Sequence, residues 1–100
     1  MNSSMISKKY YKTRDYCKVT FSIEAGYADA VDIVGLNNEW GATLSMRKGK
    51  DGSFSASVHL PKESIHEFKY LLNKTNWAND PSADGEVPNP FGTTNSILSI

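Results

Sequence analysis

Residues 68–77, read as Phe68-Lys69-Tyr70-Leu71-Leu72-Asn73-Lys74-Thr75-Asn76-Trp77, decide the fold. With a period of two, Phe68, Tyr70 and Leu72 fall on one side, and Lys69 and Leu71 on the other. The first set is what a strand buries against a core; the second leaves a lysine on the outer surface of a sheet. Asn73 to Asn76 then reads as a polar turn, from which the chain emerges at Trp77, shortly before Asp80-Pro81. A tryptophan just past a tight turn, close to an outward lysine, is an aromatic plate beside a hydrogen-bond donor. A sugar-binding surface requires that pairing.

Upstream, the same alternation recurs. Val19, Phe21 and Ile23 alternate with Lys18, Thr20, Ser22 and Glu24, a half-buried strand. Ala30 to Val34 gives a second strand with Val31 and Ile33 inward and Asp32 and Val34 outward. A polar loop, Gly35-Leu36-Asn37-Asn38-Glu39-Trp40-Gly41, sets Trp40 between glycines. A strand around Leu44 and Met46 (residues 43–47) leads to an Asp51-Gly52 hairpin signal, and Ser53 to Leu60 places Phe54, Ala56, Val58 and Leu60 on one face. Downstream of Trp77, residues 80–95 carry Pro81, Pro88 and Pro90 and show neither a strand nor a helix period. Ser96 to Ile100 closes the chain as a last strand. No segment holds a helical period, so the pattern predicts an all-β sandwich of about seven strands. Residues 1–17 read as an N-terminal arm, either a partly disordered leader or an added edge strand, and 18–100 as the domain proper.

Composition narrows the function. At 100 residues the chain suits one domain with its own core, and a hydrophobic fraction of 39% argues against wholesale disorder. Lys+Arg and Asp+Glu balance at 11 each, whereas a nucleic-acid binder normally carries a cationic excess. A single cysteine, Cys17, permits no intramolecular disulfide and leans towards a reducing, cytoplasmic setting. No apolar run is long enough to span a membrane as a helix.

Four stretches in order, GLNNEWG, DGSFSASVHL, EFKYLLNKTNW with its NDP, and NPFGTTNSILSI, resemble the family-48 carbohydrate-binding module. That family includes the glycogen-binding domain of the AMP-activated protein kinase β subunit and the N-terminal early-set domains of isoamylases and branching enzymes. The resemblance covers roughly residues 18–100 and extends to short stand-alone versions, often labelled glycoside hydrolase family 13 domain proteins although they lack the catalytic barrel. It implies an immunoglobulin-like β-sandwich that binds α-1,4-glucans such as glycogen and starch without catalysis or cofactor. It further implies that Trp40 and Trp77 are the stacking plates, Lys69 and Asn95 the polar readers, and Thr93 and Phe91 part of a closing loop. Two departures stand out: Asn37 occupies a position usually held by phenylalanine, and the turn at residues 73–76 is one residue longer than in the kinase domain.

Each of these residues also has a plainer reading. A tryptophan in a small sandwich is often core, a strand lysine is usually just solvated, and Asn95 and Thr93 could serve the turn into the last strand. Phe91 could plug the sandwich end. Asp80, Asp84 and Glu86 read as a solvated acidic loop rather than a catalytic carboxylate pair. His59 and His66 read as surface residues on neighbouring strands without the spacing of a metal site, and Cys17 as a small edge-strand residue. The rival function is an accessory module that packs against a glycogen-metabolising or kinase-like enzyme, with sugar binding weakened or lost.

Overall fold

The computed structural model describes residues 4–100. Ten strands follow one another: β1 Ser4–Tyr10, β2 Tyr16–Glu24, β3 Val31–Val34, β4 Thr43–Ser45, β5 Arg47–Lys48, β6 Ser53–Pro61, β7 Ile65–Leu72, β8 Asn76–Ala78, β9 Gly85–Pro88 and β10 Thr94–Ser99. They make an antiparallel four-stranded sheet, β1-β2-β6-β5, and a second sheet ordered β4-β3-β7-β10-β9, with β8 added to β7. The two sheets pack face to face as an immunoglobulin-like sandwich. Among the described residues no helix is long and apolar enough to cross a membrane.

Alternation in the long strands builds the core. β2 sends Val19, Phe21 and Ile23 inward, β6 sends Phe54 and Leu60, and β7 sends Phe68, Tyr70 and Leu72 to meet them. Phe21 and Phe68 bridge the sheets edge to face, with ring centroids 5.4 Å apart. Burying side chains of this size contributes about 1.5–3 kcal/mol each, enough for a domain this small to hold together without disulfides.

Ser4 to Tyr10 takes the edge-strand alternative for the arm: it pairs with β2 along its length, Ser4 opposite Ile23 and Tyr10 opposite Cys17. The part of the arm at residues 1–3 lies outside the described residues. Because β1 pairs outside β2, Cys17 sits on an interior strand, fully buried, rather than at an edge. The strand expected over residues 43–47 divides, since β4 joins one sheet and β5 the other. Met46 marks the crossing, buried, with its N–H donated to the Val31 carbonyl. Asp32 and Val34, expected outward, are both buried. Asp32 is satisfied there by Ser45 Oγ at 2.9 Å and Lys74 Nζ at 2.6 Å. Finally, the proline-rich segment contributes β9, whose pairing with β10 runs from Thr94 opposite Pro88 to Ile97 opposite Gly85. Pro88 is tolerated because β9 is an edge strand.

Candidate functional site

The main concavity among the described residues lies on the outer face of the second sheet. β7 presents Glu67, Lys69 and Leu71 on that face, since Phe68, Tyr70 and Leu72 are turned into the core. The chain then reverses through Asn73 and Lys74, both at positive φ (52° and 63°), and the Thr75 N–H closes on the Leu72 carbonyl at 3.0 Å. Positive φ at both central residues matches the twist of a hairpin. Asn73 Oδ1 also accepts the N–H groups of Asp29 and Ala30, which fixes the turn to the β2–β3 connection. As a result Trp77 stands directly opposite Leu71 and shares its outer face. Its side of the sheet is open, and Trp77 is 53% exposed.

Trp40 arrives from the other side. Gly35 ends β3 with φ of 109°, and a one-turn 3-10 helix, Leu36–Asn38, follows with Leu36 as its buried anchor. Asn37 donates its N–H to His66 Nδ1 at 3.1 Å, so β7 holds this loop in place. The Trp40 indole lies over the Gly35 backbone: a β-carbon there would sit 2.7 Å from its Cη2 and 2.8 Å from its Cζ2. The absent side chain at Gly35 is therefore part of what seats this plate.

The third wall is the β9–β10 loop. Asn89 Oδ1 accepts the backbone N–H groups of Phe91 at 3.0 Å and Thr93 at 3.2 Å, an Asx-type turn that shapes the loop from within. Gly92, with φ of 81°, completes it and leaves Phe91 88% exposed at the tip. Asn89 Nδ2 donates to Thr93 Oγ1 at 2.8 Å and to Asn95 Oδ1 at 2.9 Å. Lys69 Nζ reaches Thr93 Oγ1 at 3.4 Å, and Asn95 Nδ2 donates to Glu67 Oε1 at 3.0 Å.

These elements enclose one concavity of about 740 Å³, within the range of small-molecule sites. Trp40, Trp77 and Phe91 form apolar walls, and Lys69, Thr93 and Asn95 line the same space. The six residues that the resemblance assigns to a glucan site thus line one space. Glu67, Pro88, Asn89 and Pro90 line it as well and were not anticipated. Glu67 was open to discovery by the alternation that found Lys69, two residues away on the same face. Asn89 had only an Asn-Pro turn signal.

The other candidates go elsewhere. Asp80 is buried rather than solvated: it accepts from Tyr70 Oη and Ser4 Oγ, each at 2.6 Å, and from the Ser82 N–H and hydroxyl. Burial, together with the Asp80 carboxylate, pushes the Tyr70 phenol far up, so it remains a donor. Asp84 pairs with Lys8 at 2.8 Å and Glu86 bonds Thr94 Oγ1, so the three acids form no cluster. Burial raises Asp84, but the Lys8 ammonium and the Ser99 N–H outweigh it and hold the carboxyl below its usual value. His66 is buried, not a surface residue, because it falls on the inward side of β7 with Phe68; burial holds it below the usual histidine value. With Nδ1 accepting from Asn37, Nε2 carries the proton towards Ser64 Oγ at 2.7 Å. His59 lies in the other sheet, stacked on Tyr16 at 4.3 Å. Among the described residues no group of His, Cys, Asp and Glu could hold a metal ion. No protein-family model matches the chain, and no curated protein does either.

Proposed function

We propose that the groove binds α-1,4-glucan chains, as in glycogen, starch or maltooligosaccharides, and does no chemistry on them. The observation that carries this reading is the meeting of two half-exposed indoles, Trp40 and Trp77, with Lys69, Thr93 and Asn95 around one open space. A glucan chain curves, with apolar C–H faces on one side and hydroxyl rims on the other. Tryptophan supplies large, rigid apolar area for the first, and lysine supplies donors for the second. Glu67 is the one carboxylate among the described lining residues, whereas glycoside hydrolysis ordinarily employs a pair.

Affinity for a single chain is low on this reading, since an open groove removes little area from water and each hydroxyl it covers must give up a water partner. A branched polymer offsets this by offering many chain ends to many copies. Covering about 60–100 Å² of indole is worth about 1.5–2.5 kcal/mol, so Trp77→Ala weakens binding at least about tenfold. In co-sedimentation with glycogen the wild-type protein pellets with the polymer and the Trp77→Ala protein stays in the supernatant, with its amide spectrum still dispersed. Equal pelleting of the two proteins would sink the proposal.

A further inference from the structure

Inside the groove Asn95 is largely committed to its neighbours. Its Oδ1 is occupied by Asn89 Nδ2 and one of its two N–H bonds by Glu67 Oε1, and the residue is 8% exposed. Asn89 is spent entirely on shaping its own loop, through Phe91, Thr93 and Asn95. The polar side chains form one connected line, Lys69–Thr93–Asn89–Asn95–Glu67, with interior members that bond mainly to each other. Beyond the second N–H of the buried Asn95, the capacity to spare lies at the two ends. Lys69 uses one ammonium proton on Thr93 through a long 3.4 Å contact. Glu67 uses Oε1 on Asn95, while Oε2 accepts nothing from the described residues, and the side chain is exposed into the groove.

The geometry points to Glu67 as the residue that sets the ligand class of this groove: it accepts hydrogen bonds from sugar hydroxyls, so the groove requires glucose units with free hydroxyl donors. The inference rests on the glucan reading above. Lys69 and Glu67 stand two residues apart on one face of β7, about 6.6 Å along the strand. A sugar ring lying across them meets a donor at one end and an acceptor at the other. A vicinal diol is the matching chemistry, since one hydroxyl oxygen can accept from the ammonium while its neighbour donates to the carboxylate. Asn95 is then a positioning residue: its N–H pins Oε1 and leaves Oε2 facing the ligand. A carboxylate held this way accepts strongly, because hydrogen bonds to a charged group are shorter and about twice as strong as neutral ones.

The test compares β-cyclodextrin with its permethylated derivative, which keeps the sugar rings but has no hydroxyl donor, against wild-type, Glu67→Gln and Glu67→Ala proteins by calorimetric titration. Amide spectra of each variant establish that the fold is kept. The wild-type protein is expected to bind the unmodified ring about tenfold or more tightly than the permethylated one. Glu67→Ala should lose about that factor for the unmodified ring and show no preference between the two, with Glu67→Gln in between. A Glu67→Ala protein with wild-type affinity, or one that keeps the wild-type preference, overturns the role of Glu67 while leaving the glucan reading in place. Wild-type protein that binds neither ring overturns both.

Discussion

A β-carbon at Gly35 would lie 2.6 Å from the Glu67 carbonyl oxygen as well as against the Trp40 ring, and the residue's φ of 109° is one that side chains rarely adopt. Gly35→Ala therefore meets backbone, which cannot yield, and indole, which can only swing away. The strained backbone alone costs about 1–3 kcal/mol. The expected outcome is a loss of that order in urea denaturation, together with weaker glucan binding as Trp40 is displaced. Unchanged stability would mean that the loop is not held as described. Such dependence is invisible in the sequence, where Gly35 reads only as the end of a strand. Trp77 is the opposite case: the polar turn before it pointed to an exposed plate, against the plainer core reading, and it is 53% exposed.

The Trp40 loop owes its position to a neighbouring element, and that link is sensitive to pH. Asn37 donates to His66 Nδ1 only while that nitrogen keeps its lone pair, so protonation of the ring removes the contact. His66 is held below the usual histidine value by burial, whereas the unfolded chain titrates near ~6.5. Between those two values the unfolded state binds more protons, so stability rises with pH across the window. The contribution is complete above ~6.5 and lost as the pH falls through the folded value. An NMR titration should give a His66 Cε1–H midpoint below ~6.5, with the Asn37 amide shifting at the same midpoint. A midpoint at or above that value would contradict the buried, accepting ring. From sequence this histidine looked like a surface residue, although period two places it on the inward side of β7 with Phe68, Tyr70 and Leu72. Asp32 was misplaced for a different reason: alternation assigns it a side but does not show that Ser45 and Lys74 close over that side. β9 was missed because four residues bearing Gly85 and Pro88 give period two too little to register.

At the scale of the whole molecule, the long half-buried strands β2, β6 and β7 were readable because each has one wet and one dry face, and they carry most of the sandwich. What could not be read was the partition of strands between sheets, as at Met46, where a continuous stretch of sequence crosses from one sheet to the other. The candidate groove was legible in its apolar plates and its lysine. Its hydrogen-bonded connectivity was not, since Glu67 and Asn89 acquire meaning only once β7 and the β9–β10 loop face each other. The central claim is that this groove takes up a glucan. The most direct test follows backbone and indole N–H signals of the wild-type protein by NMR during titration with maltoheptaose. Saturable shifts concentrated at both tryptophan indoles, Lys69, Thr93 and Asn95, with the first sheet unmoved, are the predicted result. No shift at millimolar sugar, or shifts that cluster away from Trp40 and Trp77, would contradict it.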